Sequence, residues 1–240
     1  VRYAVFSDIH ANLEALEAVY ADMDRRGVDE YICLGDLVGY GASPGPVMER
    51  VMDRTSRIVA GNHDYAICGK LRLDPFNTYA RQAAEWTMDQ LDDEWIDTLD
   101  QLPLMTSVDN VTCVHATFIA PERFDYILTA YDAELNFEGI GARIGFIGHS
   151  HIPVNFVMRD RLLHNEHRTL ELQPGDRALV NVGSVGQPRD DDPRASYGVY
   201  DTEEESVRIH RVTYDIDTAA NKIYEAGLPT LLGERLYRGK

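Results

Sequence analysis

Apolar residues in this chain fall into short runs that stop at a glycine or a polar pair, and the runs differ in period. Arg2 to Ser7 (RYAVFS) is apolar at successive positions, which predicts a strand covered on both faces, as in a parallel sheet. Beyond it Leu13, Leu16, Val19, Tyr20 and Met23 recur at helical spacing, with Asn12 placed as N-cap and Gly27 as terminator. Glu30 to Leu34 predicts a second strand. Gly39-Tyr40-Gly41 and Ser43-Pro44-Gly45-Pro46 read as a loop, with Pro46 opening a helix through Arg54. Arg57 to Ala60 predicts a third strand. Strand, helix, strand, helix, strand at this spacing implies a parallel α/β unit with right-handed crossovers.

From Tyr65 to Gln101 the pattern changes. Two helical stretches, about Asn77 to Leu91 and Asp92 to Leu102, carry Trp86, Trp95, Ile96 and Leu99, and Pro103 stops the second. The reading is a helical insertion over about 65–103, its aromatics packed inward, beside the core of one domain spanning 1–240. Leu104 to Val108 and Val111 to Val114, joined by Asp109-Asn110, predict a hairpin. A helix over Asp132 to Gly141 and a buried strand over Ile144 to Ile147 follow. Antiparallel pieces are expected at Val154–Met158, Arg161–His164, Ala178–Val182, Ser196–Tyr200 and Val207–Thr213, with closing helices at Asp215–Ala226 and Pro229–Tyr237. The fold class is α/β with layered sheets.

Composition adds bounds. A chain of 240 residues, 44% hydrophobic and 26% charged, is an ordinary globular protein with a substantial core. No run approaches the roughly 20 apolar residues of a membrane span. No basic segment or cleavage site precedes the first strand. Cys33, Cys68 and Cys113 form neither an even framework nor a Cys-x-x-Cys pair, and Cys33 and Cys113 read as small buried hydrophobes. A cytoplasmic location is expected. The formal charge of −17 argues against duplex nucleic acid as a partner, since phosphate contacts need clustered Lys and Arg. Small phosphorylated substrates stay open, because a metal can supply positive charge locally. Oligomeric state is not legible.

Candidate chemistry collects where the apolar runs end. Asp8 and His10, Asp36, Asn62 and His63, His115, and His149 and His151 each follow such a run directly, which uses five of the eight histidines. His164, His167 and His210 are expected on the surface or within strands. In open α/β sheets, sites form in the crevice beyond the carboxyl ends of strands. Carboxylates, imidazoles and an amide oxygen suit borderline divalent metals: Mn, Fe, Zn, Ni or Co. There are too many imidazoles for Ca or Mg, and no thiolates for a structural zinc. The donors outnumber what one ion needs, so two ions sharing a bridging carboxylate are the economical reading.

Asp8-x-His10, Gly35-Asp36, Gly61-Asn62-His63-Asp64, His115 and Gly148-His149-x-His151, in this order, resemble the calcineurin-like metallophosphoesterase superfamily. The resemblance extends to about residue 200, because Asn181-Val182-Gly183-Ser184-Val185-Gly186 is similar to a loop of its small prokaryotic members. It implies a sandwich of two mixed β-sheets flanked by helices. It implies one metal on Asp8, His10, Asp36 and His151 and another on Asp36, Asn62, His115 and His149, with manganese supporting activity in vitro. His63 is left to stabilise the transition state or protonate the leaving oxygen, oriented by Asp64. Two cations ~3.5–4 Å apart can hold a hydroxide and clamp a phosphoryl group for in-line displacement.

Two departures from the family pattern matter. Ala116 follows His115 where glycine is usual. The Ser/Thr protein phosphatases carry Asp-Arg where this chain has Gly39-Tyr40, and that arginine clamps a dianionic phosphate bidentately. The reading therefore favours a phosphodiesterase of small molecules or nucleotides over a phosphomonoesterase or protein phosphatase. A non-catalytic scaffold of the same fold would be expected to lose ligands or the catalytic histidine, and both are present. A nuclease is disfavoured by charge. Gly183-Ser184 reads equally as a tight turn or a phosphate-contacting loop. Arg189 and Arg194, among Asp190, Asp191 and Asp192, are expected to be solvated.

Overall fold

A computed structural model describes residues 1–240. Strand β1 (Arg2–Phe6) pairs in parallel with β2 (Glu30–Cys33) across helix α1 (Leu13–Arg26). Asn12 caps α1 by accepting from the Ala15 N–H, and Gly27 ends it in the left-handed conformation. Helix α2 (Pro44–Arg54) starts two residues before the expected Pro46, with Ser43 as N-cap. Both prolines are tolerated because first-turn N–H groups have no intrahelical acceptor.

The expected third strand at Arg57–Ala60 shrinks to a single parallel bridge between Cys33 and Ile58. The chain leaves the sheet there because the Ala60 N–H turns to the Pro103 carbonyl, 2.8 Å away. It then enters α3 (Asn62–Ile67), a helix that the Gly-Asn-His-Asp motif itself begins. Helices α4 (Thr78–Gln90) and α5 (Asp93–Gln101) carry side-chain caps from Asn77 and Asp92. Ala84 of α4, Leu91 between the two helices and Leu99 of α5 join the same buried cluster as α1 and α2. Hairpin strands β3 (Met105–Val108) and β4 (Val111–Val114) follow. Helix α6 (Ala130–Asn136) begins earlier and ends sooner than the predicted Asp132–Gly141, because Thr129 and Asp132 form a capping box.

The second half is β5 (Ile144–Ile147), β6 (Val154–Met158), β7 (Leu162–Asn165), β8 (Thr169–Glu171), β9 (Arg177–Asn181), β10 (Ala195–Asp201) and β11 (Ser206–Val212). Helices α7 (Ile216–Glu225) and α8 (Thr230–Arg238) close the chain. One sheet has the order β2-β1-β10-β11-β8, the other β3-β4-β5-β9-β6-β7. Both are mixed. Strand β9 corrects the expectation of antiparallel pieces: it runs parallel to β5 and antiparallel to β6. Strand β8, three residues long, is too short for a readable alternation.

Period-two alternation explains the layers. Tyr3 and Val5 of β1 face the second sheet, where Ile144, Phe146 and Val180 meet them; Ala4 and Phe6 face α1 and α2. The outer face of the second sheet packs Ile147, Phe156 and Leu179 against Phe118 and Phe137. Phe146 is fully buried between the sheets. Phe146→Ala is expected to cost about 3–5 kcal/mol, read as a lower urea midpoint. A loss under about 1 kcal/mol would show that the neighbours collapse freely into the space, which close packing does not allow.

Candidate metal centre

The ligand-bearing loops hang from the ends of β1, β2, β4 and β5 and from the first turn of α3. They are tied to one another by backbone. The Asp8 N–H donates to the Gly35 carbonyl, and the Ile9 and His10 N–H groups both donate to the Asp36 carbonyl. The Gly148 N–H donates to the His115 carbonyl, and the His149 N–H to Asp8 Oδ2. Seven of the chain's twelve non-glycine residues with positive φ lie here: Asp8, His10, Ala11, Asp36, Tyr40, His149 and His151. Left-handed backbone costs a side-chain-bearing residue about 1–2 kcal/mol, and it persists where surrounding structure enforces it. Glycine keeps the loops close. A Cβ on Gly148 would collide with Ser7 Oγ and Asp8 Oδ2, and one on Gly39 would stand 2.5 Å from His63 Nδ1.

Two groups of buried donors result. Asp8, His10, Asp36 and His151 form one; Asp36, His115 and His149 form the other, and Asp36 belongs to both. His151 Nε2 lies 3.2 Å from Asp8 Oδ1, and Asp36 Oδ2 lies 3.6 Å from His10 Nε2 and 3.4 Å from His115 Nε2. Asn62 Oδ1 is buried with no hydrogen-bond partner, as are Asp8 Oδ1 and His149 Nε2. Six of the seven ligand residues expected from the sequence gather in these two groups, and Asn62 lines the cleft beside Asp36 and His149. His164 and His167 are exposed and His210 is half-buried on β11, as expected.

The hydrogen bonds fix what these imidazoles can do. His10 Nδ1 faces the Val38 carbonyl at 3.1 Å, His115 Nδ1 the Leu34 carbonyl at 2.7 Å, and His151 Nδ1 the Gln187 carbonyl at 2.5 Å. A carbonyl only accepts, so each Nδ1 carries a proton and Nε2 is the nitrogen that presents a lone pair inward once the ring is neutral. His10 Nε2 and His151 Nε2 then sit 3.2 Å apart, lone pair against lone pair. A shared cation turns that repulsion into coordination. The donor set fits divalent metal ions.

Charge inside the cluster is balanced finely. Burial penalises the Asp8 and Asp36 carboxylates, but His151 and His115 beside Asp8, and His115 and His63 beside Asp36, hold both well below the usual range. Burial also opposes a charged His115, yet Asp36 and Asp8 outweigh it and raise the ring to about 9. His115 would give up that proton if it held a cation, the usual coupling of metal binding to proton release. Burial pushes His149 down to about 3 and His63 to about 4.

His63 lies beside both groups without joining either. Its backbone N–H donates to Asp36 Oδ1, and its ring sits 4.5 Å from Tyr40, 4.9 Å from His10 and 5.1 Å from Phe76, centroid to centroid. Nδ1 has no partner. The expectation that Asp64 orients His63 is corrected. Asp64 Oδ1 accepts from the Leu37 and Val38 N–H groups and Oδ2 from Gly61. It pins the Asp36 loop to the start of α3, where burial and the Asp36 charge raise it to about 7.

The loop over Gly183-Ser184 resolves as a buttress. Ser184 Oγ donates to the Asp8 carbonyl and the Gly186 N–H donates to the same oxygen, so this turn supports a ligand loop. Above the donors opens a cleft of about 280 Å³, lined in part by Tyr40, Phe76, Phe124, Tyr126, Arg123 and Arg189. Tyr126 stacks on His149 at 4.1 Å. Sequence reasoning missed Phe76, Phe124 and Tyr126, which lie in irregular segments without period. It placed Arg189 in solvent, whereas the residue is half-buried in the cleft wall.

A two-sheet α/β sandwich with buried Asp and His donors at its strand ends defines a metallophosphoesterase, and residues 1–205 match the calcineurin-like phosphoesterase superfamily domain. The chain belongs to that family. A Methanocaldococcus jannaschii protein described as uncharacterized is 42% identical over 243 residues, covering 99% of this chain and 98% of its own length. The crystal structure of a metallophosphoesterase from Sphaerobacter thermophilus aligns over 100% of this chain and 99% of its own, at 40% identity and a TM-score of 0.87. A hypothetical protein of Pyrococcus horikoshii OT3, at 20% identity and a TM-score of 0.79 over 100% and 98% of the two chains, shares the fold. No helix is long and apolar enough to cross a membrane.

Proposed function

We propose that this phosphoesterase works with two divalent ions and cleaves phosphodiesters of small molecules, nucleotides among them. Asp8, His10, Asp36 and His151 hold one ion; Asp36, Asn62, His115 and His149 hold the other, with Asp36 bridging. The ions, when bound, neutralise phosphoryl charge and activate water as the nucleophile. His63 faces the departing oxygen, where it donates a proton or a hydrogen bond. The net charge of −17 favours small substrates over duplex nucleic acid.

The observation that carries the diester preference is a cleft with an apolar wall on each side of the donors. Tyr40 and Phe76 flank His63, and Phe124 and Tyr126 flank His115 and His149. A diester carries two organic groups on phosphorus, and each meets one wall. Tyr40 also stands where a phosphate-clamping arginine would favour dianions. Lys70 and Arg72 do not reach the cleft: they pair with Asp100 and Asp74.

Arg189 favours a second reading, a monoesterase, because it brings a guanidinium to the cleft from another loop. Kinetics decide. With manganese, kcat/KM for aryl phosphodiesters is expected to exceed that for the matched monoesters, and Tyr40→Arg to narrow the gap. Monoester preference in the wild type would overturn the diester reading.

A further inference from the structure

Arg189 is the one cation of its loop without a carboxylate partner. Three aspartates follow it, yet each is taken by another residue: Asp190 by Arg211, Asp191 by Lys240, and Asp192 by Arg194 and Arg168. The other arginine lining the cleft, Arg123, is largely exposed and pairs with Asp125 at 3.1 Å. Arg189 instead donates through Nε and Nη2 to the neutral Gln187 Oε1, at 3.3 and 2.8 Å, and its Cζ lies 5.7 Å from the Tyr40 ring centroid.

That placement is built. The Gln187 carbonyl accepts from His151 Nδ1, and the Arg189 N–H donates to the His151 carbonyl. The loop carrying the guanidinium is thus clipped to a donor of the metal cluster at two points. Tyr40, under the guanidinium, also touches His10 and His63. A planar cation resting on a tyrosine face, with an amide oxygen on one edge and Nη1 without a protein partner, keeps donors for an anion in the cleft.

We propose that Arg189 clamps a non-bridging oxygen of the substrate phosphoryl group and sets the balance between monoester and diester. The proposal rests on the phosphoesterase reading above. It assigns to the loop between β9 and β10 the guanidinium that the Asp36 loop lacks. A monoester presents nearly two negative charges to this residue and a diester one, so the clamp holds monoesters more strongly.

The test uses the full chain loaded with manganese, with inorganic phosphate as probe. Arg189→Met should weaken phosphate binding in calorimetry by about 10–10²-fold, the scale of a charge-assisted hydrogen bond. Metal content and melting temperature should hold. Arg189→Lys should recover part of the affinity, and the diester-to-monoester ratio of kcat/KM should rise about tenfold in Arg189→Met. Unchanged phosphate affinity in Arg189→Met overturns the clamp. So does a loss of affinity that tracks a loss of metal, which would make the loop only a brace for His151. A wild type that hydrolyses neither ester but still loses phosphate affinity on Arg189→Met keeps the clamp and rejects the catalytic reading.

Discussion

Asp36→Asn is expected to lose most of one or both metal ions while the fold persists. Asp36 is the only residue shared by the two donor groups. Its Oδ2 lies within 3.6 Å of His10 Nε2 and 3.4 Å of His115 Nε2, while Oδ1 accepts the His63 N–H. Asparagine keeps the shape and the acceptor for His63, so the start of α3 stays anchored. It removes the negative charge, and its amide nitrogen cannot ligate a cation. It also removes the charge that contributes most to the raised His115, so that ring should lose its proton more readily. Elemental analysis after manganese reconstitution reads the result. Full occupancy in the mutant, or a wild type that takes up one equivalent or none, would dismantle the assignment of Asp36 as bridge.

The donors were legible because each follows an apolar run directly, and a strand delivers its next residues to the same edge of the sheet as its neighbours. Asp8, Asp36, His115 and His149 needed nothing more than that. Asp64 was misread because adjacency in sequence is not adjacency of side chains: on the first turn of α3 its carboxylate points back to the Gly61 N–H while the His63 ring turns toward Tyr40. Arg189 was hidden differently. Its neighbours Asp190, Asp191 and Asp192 look like its counter-ions, and only the fold brings Arg211, Lys240 and Arg168 to claim them. Phe76 and Tyr126 carry no periodic signal, so their position over the donors depends on how the segments after α3 and β4 fold back. Arg57 to Ala60 shows the converse error. The residues suit a strand, but pairing needs acceptors in register, and Ala60 finds its acceptor at Pro103.

His63→Gln should leave both metal groups intact and lower turnover by about 10²-fold or more, the scale of a lost general acid. The side chain belongs to neither donor group, and its anchoring bond to Asp36 runs through the backbone N–H, which glutamine retains. The size of the loss should depend on the leaving group. Nitrophenolate departs with little help, whereas an alkoxide at neutral pH needs a proton, so alkyl esters should suffer more than nitrophenyl esters. Burial pushes His63 down to about 4, with Asp36 favouring its charge and Arg189 and neighbouring imidazoles opposing it, so an anion resting beside the ring strengthens its hold on a proton. A phosphoryl group in the cleft is such an anion. Equal losses for good and poor leaving groups would instead show His63 acting as a neutral hydrogen-bond donor to the developing charge. Turnover unchanged at full metal occupancy would remove His63 from the reaction, and would leave the unpartnered Nδ1 beside Gly39 without a function.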